Sequence, residues 1–171
     1  MIIYVSNKLA QINLTKEIVL RGVDPKRLFF GEKLSRDEYL DRYRLCDLFL
    51  DTFPYNAGTT ASDAIKMGLP ILTIEGESFN SREAANIVNS VNLPEMIVAN
   101  QEEYESLAIQ LGNNPKKLKM IREKLVDDLP NTPLYNTRLL AKNIELAYKT
   151  MFDRYHQGLT PNHIFEEEII E

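Results

Sequence analysis

The feature that most constrains this chain is a regular alternation of strand-like and helix-like patterns over residues 1–100. Short apolar runs at 2–5, 27–30, 48–50, 70–74 and 96–98 alternate with helical patterns at 14–20, 35–45, 60–67 and 81–90. The run at 48–50 predicts a buried strand that ends at Asp51. Gly22 and Gly68 suit left-handed helix ends, and Ser35 with Glu38 forms a capping-box pattern. This order predicts an α/β fold with a Rossmann-like parallel sheet and helices on both faces.

Beyond residue 100 the pattern becomes purely helical, with predicted helices at 101–111, 115–129 and 136–155. We therefore expect residues 1–100 to form the Rossmann-like core and residues 101–156 to form helices that pack on the same domain. Residues 157–171, which include three consecutive glutamates from Glu166 to Glu168, read as an acidic and weakly ordered tail.

Charge and composition exclude several classes of partner. A net charge of -5 argues against nucleic acid or an anionic membrane, because both require clustered Lys and Arg. No apolar run approaches the roughly 20 residues that cross a bilayer. A single cysteine, Cys46, cannot form an internal disulfide and is predicted to be an inert core residue. With no export signal at the start of the chain, the predicted compartment is the cytoplasm.

The segment from Asp51 to Asp63 connects a predicted strand end to a predicted helix start, which is where doubly wound sheets bind ligands. Free amides and the positive dipole of the helix favour an anion, and Gly58 removes a Cβ that would block its approach. Thr59 and Thr60 add hydroxyl donors, and Asp63 offers an acceptor to sugar hydroxyls. The alternative is purely structural: Thr59 caps the helix, Asp63 supports its first turn and Gly58 shapes an ordinary loop.

The sequence lacks the motifs of several other functional classes. Asp51 at a strand end is typical of a receiver-domain phosphoacceptor, but Ser6, Asn7 and Lys8 stand where such a domain needs an acidic pair. No glycine-rich dinucleotide fingerprint or Walker-type loop is present. His156 and His163 both fall late in the chain, so the sequence supports no dehydrogenase, kinase or zinc site.

Several motifs in one order and spacing resemble the O-linked N-acetylglucosamine (O-GlcNAc) transferase family of glycosyltransferases. The resemblance covers essentially the whole chain. It is carried by residues 46–56, 58–60, 63–64, 67–70, 81–85, 103–104 and 133–137, and by the helix that contains Tyr148 and Met151. It implies that this chain is the C-terminal half of a GT-B fold, the half that holds the nucleotide of a sugar donor.

The resemblance also implies roles for individual residues. Gly58, Thr59 and Thr60 would face the diphosphate, and Asp63 would face the ribose. Gly58 stands where many members of the family carry a histidine beside the phosphates, so that donor is missing here.

For the base, the resemblance implies contacts from the segment 34–42. The backbone of Leu34 would hold the base, Arg36 would lie near the ribose, and Tyr39 would stack on uracil with Arg42 alongside. Tyr39 stands where some members have a histidine, and a tyrosine ring can still stack on the base. The alternative is that Tyr39 and Arg42 belong to an ordinary amphipathic helix face. Uridine diphosphate is the favoured nucleotide, and the sugar stays open.

The reaction implied is an inverting transfer from a nucleotide sugar to a protein hydroxyl, with no metal and no cofactor. Members of the family use a lysine upstream of the first strand against the donor phosphates. Lys8 lies downstream of that strand, so this role is not transferred to it and no catalytic residue is assigned. Because the N-terminal half and the acceptor site are absent, we expect weak nucleotide binding and no efficient transfer by this chain alone. The alternative is a non-catalytic nucleotide-binding or interaction module that kept the fold.

Overall fold

A computed structural model describes residues 1–164, and the chain divides into two compact units between Leu45 and Cys46. The glutamates of the predicted acidic tail lie outside the described residues. Each unit contains a parallel sheet whose strands alternate with helices along the chain, which confirms the predicted fold class. The strands form two sheets, however, and not the single sheet that the alternating pattern predicts.

The first unit is a β-α-β arrangement followed by a short helix. Its two strands pair in parallel, with Ile2 opposite Phe29. Only Leu28 of residues 1–45 is buried. The elements are β1 (Ile2–Tyr4), α1 (Lys8–Leu20), β2 (Phe29–Gly31) and α2 (Arg36–Arg42), with 3-10 turns at Pro25–Arg27 and Tyr43–Leu45.

Local capping explains the helix boundaries of this unit. The Asn7 side chain accepts hydrogen bonds from the Leu9 and Ala10 amides at 2.8 and 3.2 Å, so α1 begins six residues before the predicted start at residue 14. Gly22 ends the helix with a φ of +75°, as predicted. The Glu38 carboxylate accepts from the Ser35 amide and hydroxyl, which confirms the capping box at α2.

The second unit contains a three-stranded parallel sheet in the order β3-β4-β5. The central strand β4 is buried along its whole length, and α3, α4 and α5 pack against it. Its elements are β3 (Phe49–Leu50), α3 (Thr59–Lys66), β4 (Ile71–Ile74), α4 (Glu83–Ser90), β5 (Ile97–Val98), α5 (Gln101–Asn113), α6 (Pro115–Asp128) and α7 (Thr137–His156). As predicted, Gly68 has a φ of +70° after α3.

The hydrophobic core lies almost entirely in this second unit. Its largest fully buried apolar side chains are Ile65, Leu69, Ile71, Leu72, Leu93, Met96, Leu111 and Leu125. Two expectations about burial are wrong: Leu50 on β3 is 46% exposed, and Cys46 is partly exposed and not part of the core. No helix among residues 1–164 is long and apolar enough to cross a membrane.

Candidate functional site

The loop between β3 and α3 is organised by the carboxylate of Asp51, the residue that directly follows β3. One carboxylate oxygen accepts from the Thr52 and Ala57 amides, each at 2.8 Å, and the other accepts from the Thr73 hydroxyl at 2.7 Å. The Tyr104 hydroxyl donates to the Asp51 carbonyl at 2.8 Å. Asp51 therefore joins both ends of the loop to β4 and α5.

Asn56 anchors the far end of the loop. The backbone amide of Asn56 donates to the Asn80 carbonyl at 2.8 Å, and the side-chain Nδ2 donates to the Thr52 carbonyl at 3.0 Å. The side chain is 1% exposed, and its Oδ1 has no donor among residues 1–164. The Thr52 hydroxyl donates to the Tyr55 carbonyl at 2.6 Å, and the Phe53–Pro54 peptide is cis. The loop is thus held from inside the fold.

An open pocket of about 360 Å³ lies along this loop and the start of α3. It is lined by Phe49, Leu50, Asp51, Thr52, Tyr55, Asn56, Ala57, Gly58 and Thr60. A second depression, on the face of α1, is lined almost only by apolar atoms and offers little with which to recognise phosphate. The pocket beside α3 is therefore the better candidate site, and it is at the strand end where the sequence predicts one.

Among the residues that the structure describes, no side chain caps the start of α3. Gly58 is the N-cap residue, and Thr59 is the first residue of the helix, so the alternative in which Thr59 caps it is wrong. The first amides of any helix have no partner within the helix, and the helix dipole makes this end positive. Because Gly58 and Thr60 line the pocket, this positive end borders it.

The space beside Gly58 is filled by a carboxylate from α4. A Cβ added at Gly58 would lie 2.5 Å from Cδ of Glu83 and closer still to one of its oxygens. The sequence predicts a bound phosphate in this space. The residue present there is instead a half-buried anion, the first residue of α4.

Asp63 lies one turn further along α3 and is only 7% exposed. It does not line the pocket, and neither does Thr59. Its neighbour Tyr135 donates a hydrogen bond to the Ser62 carbonyl at 2.6 Å. Burial and, to a smaller degree, the charge of Asp63 raise the pKa of Tyr135. The proposed ribose contact of Asp63 stays a prediction.

In the first unit, the residues proposed to bind the base are on α2 or just before it. The guanidinium of Arg36 lies 5.5 Å from the centre of the Tyr39 ring, and the Tyr39 and Tyr43 hydroxyls share a hydrogen bond of 2.5 Å. Arg42 donates to the Glu32 carbonyl at 2.7 Å, and Leu34 is 40% exposed. These four candidate residues therefore belong to one segment, and their roles stay predictions.

Burial is the largest cause of the pKa shifts of two groups beneath the pocket, Asp51 and Tyr104. Removal from water raises the pKa of Asp51, although the donors from Thr73, Ala57 and Thr52 oppose the shift. Burial and the charge of Asp51 together raise the pKa of Tyr104 to about 12. Among residues 1–164, no group of three or more His, Cys, Asp or Glu side chains could hold a metal ion.

Sequence reasoning missed three residues of this site. The position of Asp51 at a strand end suggests only a phosphoacceptor, whereas the structure shows that its carboxylate holds the loop in place. An Asp or Asn beside a turn is a known signal for such local hydrogen bonds, so Asp51 and Asn56 could have been found. Glu83 gave no such signal, because its contact with Gly58 spans 25 positions of sequence.

Comparison with known proteins assigns the chain to a family. Residues 6–144 match the model of glycosyl transferase family 41. A UDP-N-acetylglucosamine--peptide N-acetylglucosaminyltransferase of Caenorhabditis elegans is 30% identical over 152 residues, which are 89% of this chain and 13% of that protein. A probable enzyme of the same description, SEC of Arabidopsis thaliana, is 32% identical over 84% of this chain and 15% of its own length.

The fold comparison agrees with the sequence comparison. A mutant O-GlcNAc transferase of Thermobaculum terrenum superposes with a TM-score of 0.79 at 28% identity. The match covers 88% of this chain and 29% of that one. The chain therefore spans less than a third of each of these three proteins.

Proposed function

Because this chain belongs to glycosyl transferase family 41, we propose that it is the nucleotide-sugar-binding part of a protein O-glycosyltransferase, with a UDP-sugar as its donor. One observation carries the proposal. The start of α3, which has no side-chain cap, borders an open pocket at the end of a parallel strand. That is the site where doubly wound folds hold phosphates.

The diphosphate is proposed to bind at Gly58, Thr59 and Thr60. Backbone amides of the first helical turn can donate to phosphate oxygens, and Thr60, a residue with a hydroxyl donor, lines the same pocket. In a glycosyl transfer that releases a nucleoside diphosphate, negative charge grows on the leaving phosphate. Fixed donors at this point therefore stabilise the transition state more than the bound substrate.

The nucleoside contacts are proposed from the family resemblance. Asp63 and Arg36 would bind the ribose, while Leu34, Tyr39 and Arg42 would bind the base. Tyr39 offers an aromatic face for stacking, and Arg36 is already next to its ring. These contacts would make uridine nucleotides the preferred ligands.

The proposed reaction is an inverting transfer to a protein hydroxyl, and it requires no metal or further cofactor. The chain spans 13–15% of its relatives in worm and plant, so acceptor binding and efficient transfer are proposed to need parts of the enzyme outside these residues. The protein acceptor and the N-terminal half of the catalytic region are accordingly its proposed partners.

Calorimetric titration with UDP and GDP tests this function. We expect saturable binding that prefers UDP. Thr60→Ala and Asp63→Ala should each weaken UDP binding about tenfold, because each removes a hydrogen-bonding group from a charged or polar ligand. Thr137→Ala is the matched control, since Thr137 is an exposed threonine at the start of α7.

Two results would count against the proposal. UDP binding that is unaffected by Thr60→Ala would mean that the nucleotide binds elsewhere. Absence of binding to either nucleotide at millimolar concentration would instead favour the non-catalytic interaction module.

A further inference from the structure

The carboxylate of Glu83 has an unusual position in the second unit. All three atoms of the group, Cδ and both oxygens, lie within 2.9 Å of where a Cβ of residue 58 would be. A negative charge therefore rests against the N-cap of α3, the end of the helix that the dipole makes positive. This is also the point at which the proposed function requires phosphate.

The backbone that carries Glu83 is firmly held. The 3-10 turn at Phe79–Ser81 immediately precedes α4, and the Gly76 amide donates to the Ser81 carbonyl at 2.8 Å. The Asn56 amide donates to the Asn80 carbonyl, also at 2.8 Å. The backbone just before α4 is thus tied to the pocket loop, and the group that fills the space beside Gly58 is a side chain and not backbone.

Within the described part of the chain, no partner neutralises the Glu83 carboxylate. Among residues 1–164 it forms no hydrogen bond and no ion pair, although it is half-buried. The contrast with Asp51 is informative, because three donors satisfy that carboxylate beneath the same pocket. Asp51 is part of the fixed framework, whereas Glu83 has only the field of the helix end to hold it.

A second polar group at the pocket also lacks a partner among the described residues. Asn56, one of its lining residues, has a buried Oδ1 acceptor with no donor in the described part of the chain. A buried acceptor without a donor costs free energy unless a ligand or water supplies one. This acceptor is independent of Glu83 and lies in a residue that lines the same pocket.

We propose that Glu83 competes with the donor diphosphate for the N-terminus of α3 and thereby sets how tightly the site binds nucleotide. This inference rests on the proposed function. A phosphate that approaches Gly58 meets the Glu83 carboxylate, and two anions cannot share that space. The side chain must swing away before phosphate binds, and its charge continues to repel the bound diphosphate from nearby.

The test is UDP titration of the full chain at low ionic strength, comparing the parent with Glu83→Gln. Glutamine keeps the size of the side chain and removes its charge. We expect Glu83→Gln to bind UDP about tenfold more tightly, because the repulsion acts at short range in a partly buried site. Uridine, which has no phosphate, should bind the parent and the variant equally.

Glu102→Gln is the control for net charge, because it removes one exposed carboxylate from the first turn of α5. It should leave the affinity for UDP unchanged. Equal, saturable UDP binding by the parent and Glu83→Gln would overturn the competition and leave the proposed function intact. Mg²⁺-dependent UDP binding that Glu83→Gln abolishes would also overturn the competition, because Glu83 would then help to hold the phosphate. Absence of UDP binding by the parent and by Glu83→Gln would contradict the proposed function and the competition together.

Discussion

At the scale of single residues, Asp51 determines the shape of the pocket loop. Its carboxylate accepts three hydrogen bonds, and its carbonyl accepts a fourth from Tyr104. Burial nevertheless raises the pKa of Asp51, because desolvation outweighs the donors. The folded chain consequently holds a proton at this position more tightly than the unfolded chain does.

That difference predicts how stability depends on pH. Between the ordinary carboxylate pKa near 4 and the raised pKa of folded Asp51, the folded state binds more protons than the unfolded state, so stability falls as the pH rises. Asp51→Asn removes this contribution. Urea unfolding across this interval should therefore show the parent losing stability relative to Asp51→Asn as the pH rises.

Asp47→Asn serves as the control, because it removes a carboxylate from an exposed position nearby. A parent that gains stability over Asp51→Asn as the pH rises would mean that the donors dominate and that the pKa of Asp51 is lowered.

Residues also differ in how well sequence predicts them. Gly58 and Thr60 were predicted at the site and do line the pocket, because their spacing from a strand end is a local signal. The environment of Gly58 was not predictable in the same way. What surrounds it depends on the packing of α4 beside α3, and no local pattern encodes that packing.

At the scale of elements, boundaries were predictable where a single residue type dictates them. Gly22 and Gly68 adopt the positive φ that ends a helix, and Ser35 with Glu38 starts α2. The early start of α1 was missed because the prediction followed apolar spacing and not the cap at Asn7. The strands were harder: Leu50 looked like core but is 46% exposed beside the pocket.

A contact between elements gives a second test of stability. The Tyr104 hydroxyl of α5 donates to the Asp51 carbonyl at the end of β3. Tyr104→Phe removes this partly buried hydrogen bond and should lower the free energy of unfolding by about 1–2 kcal/mol. Tyr148→Phe is the matched control, because Tyr148 is 66% exposed on α7, and it should change stability by less than about 0.5 kcal/mol.

Comparing the parent with Tyr104→Phe also tests the ionisation of Tyr104. Its pKa of about 12 means that the folded state keeps this proton after an unfolded tyrosine has lost it. Stability should accordingly fall between about pH 10 and pH 12 in the parent. Tyr104→Phe should lack that part of the fall. An identical alkaline fall in both chains would show that Tyr104 does not contribute.

At the scale of the whole molecule, the core and the diphosphate candidates belong to the same unit. The fully buried apolar side chains lie between Ala61 and Leu125, whereas residues 1–45 bury only Leu28. The fold class could be predicted because strands and helices alternate in sequence. The division into two sheets could not, because strand pairing between distant segments leaves no local trace.

A nucleoside diphosphate is proposed to bind at the start of α3. The most direct measurement is the change in backbone amide chemical shifts when UDP is titrated into the isotope-labelled chain, with uridine as the comparison. We expect UDP to shift the amides of Gly58, Thr59, Thr60 and Ala61 most strongly and uridine to leave them nearly unchanged. Shifts by UDP that avoid these four amides, or that uridine reproduces there, would contradict it.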